Sequence, residues 1–270
     1  MVADNGKYVL SKTLAEVVAF LPLSAPTLRV LHALLHWQHT YVEWRPEFVD
    51  DPDAASTWCR VADLRASLDM RSRDARTLRR AVEELSSRGI FDFILLSENN
   101  RNLRWCFSRN VHELMLERTD RYALLDIGCI RACRTPAELM IYVLTAQVWQ
   151  MRYPEFFLYS ESLRQDPSSD AQLIDWRRER RRLCPAFIHV AGLLGAEFVL
   201  RLLQDQRRPG IGKVSVRLRH PSARWRRPQL FAAPPGTVFY RVDTGGCRRA
   251  ERPNGPTAGA ASCDVVEKHG

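Results

Sequence analysis

The sequence predicts a mostly α chain with small β hairpins (α+β), arranged as two domains of one kind in tandem and a flexible C-terminal tail. Three observations predict it. The same order of elements, helix, strand, short helix, long helix and hairpin, can be read twice along the chain. At 270 residues and 46% hydrophobic composition, the chain is long enough for two ordinary cores. From about Ser222 it becomes rich in Pro, Gly, Arg and Ala, with apolar periodicity only at Thr237 to Val242, and its last thirty residues read as disordered.

The first order follows an N-terminal segment, residues 1–25, that includes a strand-like Tyr8-Val9-Leu10. Pro26 and Thr27 open a helix that carries Leu28, Leu31, Leu34 and Leu35 on one face and runs to about Val42. After a polar loop with Pro46 and Pro52, Thr57 to Arg60 reads as a short strand and Val61 to Leu68 as a short helix. A tight turn, Asp69 to Ser72, leads to a longer helix, Arg73 to Arg88. Ser72 is its N-cap, Ala75, Leu78, Val82 and Leu85 its buried stripe, and Gly89 its stop. Ile90 to Leu96 and Leu103 to Phe107 are then two strands joined by a polar loop. A short turn before a long helix, followed by a basic hairpin, is the winged variant of the helix-turn-helix.

Residues 111–134 read as a linker of two short helices, Asn110 to Arg118 and Tyr122 to Ile130. Thr135-Pro136-Ala137-Glu138 then supplies an N-cap, a first-turn proline and a capping-box glutamate for a helix reaching about Met151. Phe156 to Tyr159 is a strand, Ser160 to Gln165 a short helix, Asp166 to Asp170 a turn and Ala171 to Cys184 a long helix that Pro185 kinks or ends. Helical signal resumes from Ala186 to Gln204, and Lys213 to Arg219 alternates as a strand. The expected domains are therefore residues 26–110 and 135–222, with a basic, largely disordered tail over 223–270.

Charge points to the partner. Forty Lys and Arg face 31 Asp and Glu, a net charge of +9, and only Lys7, Lys12, Lys213 and Lys268 are lysines. Arginine's planar fork suits phosphates and the guanine edge, so a polyanion is favoured. On a helical wheel Arg73, Arg76 and Arg80 fall within about 60° of one another, opposite the apolar stripe, as a helix entering the major groove requires. Arg71 and Ser72 in the turn and Arg101 and Arg104 in the hairpin extend this DNA-binding set. In the second half Arg177, Arg178, Arg181 and Arg182 spread over about 140° of wheel. Arg180 falls among the apolar positions and is read as pairing with a carboxylate. Arg207, Arg208, Lys213, Arg217 and Arg219 complete a second basic wing.

The stretch Asp175-Trp176-Arg177-Arg178-Glu179-Arg180-Arg181-Arg182-Leu183 resembles the aromatic-basic recognition helix in the second winged helix of plasmid replication initiators. Gly212-Lys213-Val214-Ser215-Val216-Arg217-Leu218 is similar to the strand that follows in that family, and Ala137 to Val148 to the helix that opens the same domain. The resemblance implies two tandem winged helices on double-stranded DNA and initiation of plasmid replication at direct repeats of an origin. It further implies a monomer–homodimer choice and recruitment of host replication proteins.

Other chemistries find little support. His32, His36 and His39 share a helix face, yet Ala33 stands where a H-E-x-x-H motif needs its glutamate, so no metal is expected. Cys129 and Cys133 lack a second pair, and the seven cysteines show no disulfide framework, which reads as reduced thiols. Gly210-Ile211-Gly212-Lys213 lacks the full phosphate-loop pattern and precedes a strand, so nucleotide hydrolysis is rejected. No catalytic set can be proposed, and the expectation is a non-enzyme without cofactors. No secretory signal is visible, and Val17 to Leu23 and Phe187 to Leu194 are too short to span a bilayer, which predicts a cytoplasmic protein. The alternatives are a winged-helix transcriptional regulator and an arginine-rich protein-interaction module. Two basic helices favour two DNA-contacting halves.

Overall fold

The computed structural model describes residues 6–42, 55–70, 75–117, 122–160, 173–205, 209–219 and 237–250. The first strand, β1 (Lys7–Ser11), passes directly into α1 (Lys12–Ala19), because the Ser11 hydroxyl accepts a hydrogen bond from the Leu14 amide and caps the helix. Pro26 stands in the first turn of α2 (Ala25–Trp37), where its missing N–H costs nothing. α2 is shorter than its apolar pattern suggested: beyond Trp37 the chain widens into a π-helical turn, Gln38–Val42.

A strand, two helices and a hairpin follow: β2 (Thr57–Arg60), α3 (Val61–Ser67), α4 (Ala75–Ser86), β3 (Phe91–Leu96) and β4 (Asn102–Phe107). Gly89 adopts φ +66° just beyond α4, a left-handed turn that a residue with a Cβ resists. α5 (Arg109–Leu116) leads on to the next strand. Tyr122 to Ile130, expected as a helix, is instead strand β5 (Tyr122–Asp126) followed by the short α6 (Ile127–Ala132). The run Tyr-Ala-Leu-Leu is apolar at every position, so period alone does not separate the two states. Pairing with β1 decides it, with Tyr8 opposite Leu125 and Leu10 opposite Ala123.

Thr135 caps α7 (Pro136–Val148) through a 3.2 Å bond from the Glu138 amide, while the Glu138 carboxylate reaches back to the Arg134 amide at 2.6 Å. α7 is apolar on nearly every face and correspondingly buried. α1 packs on one side of it and α8 (Trp176–Leu194) on another. Strand β6 (Glu155–Tyr159) lies between α7 and α8 in the chain. The expected short helix at Ser160 to Gln165 and turn at Asp166 to Asp170 fall almost wholly outside the described residues.

Three expectations about the second half are corrected. Pro185 does not end α8, which runs on to Leu194; Pro185 and Arg181 are both exposed, so the carbonyl deprived of its partner faces solvent. The predicted helix to Gln204 stops at Gly195, in left-handed conformation, and Glu197–Gln204 is strand β7, whose alternate residues Phe198, Leu200 and Leu202 point inward. β8 (Ile211–Arg219) pairs with both β7 and β6. Nor is the chain beyond Ser222 all tail: β9 (Val238–Asp243) pairs with β7, and β10 (Gly246–Ala250) closes a tight hairpin with β9.

The strands make three sheets: β1-β5, β2-β4-β3 and β10-β9-β7-β8-β6. The last two share a topology. In each, the strand before the long helix pairs antiparallel with the second hairpin strand, β2 with β4 and β6 with β8. One continuous hydrophobic core joins the halves, and α1 binds them further because Gln147 of α7 donates to the Lys12 carbonyl at 3.1 Å. Among the described residues no helix is long and apolar enough to cross a membrane.

Candidate nucleic-acid interface

In the first half the long helix α4 buries Leu78, Ala81, Val82 and Leu85 and leaves Arg76, Arg79 and Arg80 exposed. Its seat is fixed by Glu84. That carboxylate accepts hydrogen bonds from the Ser24 amide (3.0 Å), the Ser24 hydroxyl (2.9 Å) and the Thr27 hydroxyl at the start of α2. Burial alone would raise this carboxyl, but the bonds from Thr27 and Ser24, with Arg88 nearby, hold it below the usual carboxylate range. An anion at the amino end of α2 also meets the positive end of the helix dipole. The consequence is that α4 cannot roll on α2 without breaking three bonds, so the arginine face keeps its orientation.

The turn of the β3–β4 hairpin is built by its own side chains. The Ser97 hydroxyl and the Asn99 side-chain Oδ1 each accept from the Arg101 amide at 3.1 Å, and Asn100 takes a left-handed φ of 55°. Arg101 stands exposed at this tip. Arg79, absent from the sequence-based set, reaches from α4 to Asn100 at 3.4 Å and so brings the helix face and the hairpin tip together. On the wheel Arg79 lies about 60° beyond Arg76, on the flank of the same arginine arc.

Arg104 is placed differently. It lies on the outer face of the sheet, bonds the Ser56 hydroxyl at 2.8 Å and stacks over Phe93 at 5.3 Å, in register with Trp58 and Leu95. Arg71, Ser72 and Arg73 lie outside the described residues.

In the second half Asp175 caps α8, its carboxylate accepting from the Arg177 and Arg178 amides at 3.1 and 3.3 Å. Trp176, Leu183, Cys184 and Phe187 are buried, whereas Arg177, Arg178, Arg180 and Arg181 are exposed. The carboxylate pairing expected of Arg180 belongs to Arg182. Arg182 is the one held by a carboxylate, its Nε and Nη2 both on Glu179 Oε2 at 3.1 and 2.7 Å, because Glu179 precedes it by three residues on the same face. Arg180 is exposed and lies beside Cys184 and Cys247.

The expected second wing divides. The Asp205 amide donates to the Gly210 carbonyl at 2.9 Å and closes the β7–β8 turn; Arg207 and Arg208, within that turn, lie outside the described residues. Lys213 is near the turn, half-buried, with its ammonium 5.0 Å from the centre of the Phe157 ring. Arg217 and Arg219 are at the opposite end of β8 and are already paired, Arg217 with Glu155 at 3.4 Å and Arg219 with Glu197 at 3.3 Å. Glu155 also receives Arg201 and the Ser215 hydroxyl, and Glu197 receives Arg241. This is an ion-pair ladder across the sheet, at the end of β8 away from the turn.

The remaining candidates pack as structure. His32 is buried, shares a 2.6 Å hydrogen bond with the Tyr8 hydroxyl, and is driven down to a pKa of about 3 by burial. His36 packs edge-on against the same tyrosine ring. Cys133 is buried, and burial with Asp126 nearby raises the Cys129 thiol. Among the described residues no group of three His, Cys, Asp or Glu side chains is arranged to hold a metal.

No family model matches the chain, and the search of curated proteins found no match. Among solved structures, the crystal structure of Pi initiator protein in complex with iteron DNA is similar in fold. The TM-score is 0.59 at 16% sequence identity, over 80% of this chain and 98% of that chain. The resemblance to replication initiators that the arginine helix carries is thus present as a likeness of fold.

Proposed function

We propose that the chain is a sequence-specific double-stranded DNA-binding protein that initiates plasmid replication at repeated origin sites, without enzymatic activity of its own. Two winged helices, within residues 26–110 and 135–222, read the DNA, the second extended by the β9–β10 hairpin. α4 and α8 are the recognition helices. The observation that carries this reading is the repeated construction. In two halves with the same sheet order, the long helix before the hairpin turns exposed arginines outward, Arg76 and Arg80 in one and Arg177, Arg178 and Arg181 in the other. Helices of this kind place their exposed face against base edges in the major groove while flanking arginines hold phosphates. The likeness to an initiator in complex with iteron DNA supports the same reading.

Host replication proteins are the further partners of this proposal, with self-association into a homodimer as its regulatory state, all in the cytoplasm. Footprinting of the purified protein on the DNA flanking its own gene tests it. A ladder of protected direct repeats is expected. A single protected inverted repeat would instead make the protein a transcriptional regulator, and binding to acidic proteins but not to DNA would make it an interaction module.

A further inference from the structure

The helix α8 packs on the β9–β10 hairpin, and one cysteine stands on each side of that contact. Cys184 is on the buried side of α8, and Cys247 is half-buried on β10, the edge strand of the five-stranded sheet, in register with the fully buried Val242. The two thiols face each other closely enough to interact, and Arg180, one helical turn before Cys184, acts on both. The interaction with Cys184, against the effect of burial and with Arg180 in support, lowers Cys247 below the usual thiol range, while Cys184 is raised. The other thiols with a resolved shift go the opposite way. Burial pushes Cys59 up to about 12 and also raises Cys129 and Cys133.

We propose that Cys184 and Cys247 are a peroxide-responsive modification site, in which Cys247 is the attacking sulfur and Cys184 the resolving thiol of an intramolecular disulfide. The oxidant is hydrogen peroxide. The Cys247 sulfur attacks one peroxide oxygen, the O–O bond breaks, and the departing hydroxide takes the thiol proton as water, leaving a sulfenic acid. The Cys184 sulfur then attacks the Cys247 sulfur, the S–O bond breaks, and hydroxide leaves with the Cys184 proton as a second water. Two thiols and one peroxide thus give one disulfide and two waters. The bridge staples the sheet edge to the helix that carries Arg177 to Arg181, and it closes a loop of about 60 residues, which restricts the unfolded chain.

The test uses the reduced full-length chain exposed to a small excess of hydrogen peroxide, digested without reductant and mapped by mass spectrometry. A cross-linked peptide pair joining Cys184 to Cys247, two hydrogens lighter than the free peptides, is expected, with a rise in thermal midpoint of about 5 °C or more. Before oxidation, iodoacetamide should label Cys247 ahead of Cys59, Cys106 and Cys133. With Cys184→Ser, the sulfenic acid should persist on Cys247 and be trapped by dimedone. Oxidation that settles on Cys129 or Cys263 without a 184–247 bridge would overturn the proposal, as would labelling of Cys247 no faster than Cys59; neither measurement depends on a variant folding.

Discussion

Arg177, Arg178, Arg181 and Arg182 occupy one helix, but the structure separates the first three, exposed, from the fourth, clasped by Glu179. Single alanine substitutions should therefore differ. Each exposed arginine that neutralises one phosphate contributes about 0.9 to the slope of log affinity against log salt. Removing all three flattens the slope by up to about 2.7, so a fourfold rise in salt costs the triple variant roughly 40-fold less affinity than it costs the parent. An arginine forked onto guanine behaves differently. Its loss costs about 1–3 kcal/mol at one base pair, roughly 5- to 150-fold, and relaxes preference only there. Arg182→Ala should leave the slope nearly unchanged because that charge is already paired, whereas Glu179→Gln should release it and steepen the slope by up to about 0.9. Anisotropy titrations on the footprinted duplex and its one-base variants, at several salt concentrations, read all of these. If the three exposed arginines leave slope and base preference untouched, or if Arg182→Ala matches them, α8 is not the reading helix.

Three further outcomes are expected. Arg76→Ala combined with Arg80→Ala should weaken DNA binding while moving the thermal midpoint by no more than about a degree or two, since exposed substitutions typically cost less than about 0.5 kcal/mol each; a cooperative loss of folding in calorimetry would show the face to be buried. His32 is neutral in the fold, with its pKa near 3 against 6.5 in an unfolded chain, so its stabilising contribution is complete above the unfolded value and declines as pH falls towards 3. About 2 kcal/mol should be lost between about pH 7.5 and 5, and His32→Gln should remove that part of the slope in urea unfolding; parallel curves would refute it. Phe187→Ala, at a fully buried site stacked edge-on with Phe198, should cost about 3–5 kcal/mol in denaturant unfolding, and a loss under about 1 kcal/mol would contradict the packing.

The sequence was readable where period and punctuation agreed. α4 carried a clear apolar stripe and a terminal glycine, and α7 announced itself through Thr135, Pro136 and Glu138. β5 and β7 read as helix from sequence because short runs rich in leucine fit either state until a partner strand is known. For β5 the partner is β1, more than a hundred residues upstream. β9 falls on the apolar alternation of Thr237 to Val242, whereas β10 sits in arginine- and glycine-rich sequence, and only its pairing with β9 makes it a strand. At the interface, exposure was legible but neutralisation was not. Glu155 meets Arg217 across 62 positions, a proximity that no local pattern encodes. Glu179 stood in view beside Arg182, yet the wheel alone assigned the carboxylate's partner to Arg180.

The β1–β5 ribbon also bears on the order in which the protein is made. Tyr8 and Leu10, both fully buried in the finished fold, leave the ribosome well before their strand partners Leu125 and Ala123, which follow 117 and 113 residues later. At synthesis rates of about 5–20 residues per second, β1 waits about 6 to 23 seconds with its backbone edge unpaired. The first half is therefore finished only when the linker has been translated. A chain stalled or cleaved before Asp126 would keep an unpaired strand, the kind of exposed edge that draws neighbouring chains into aggregates.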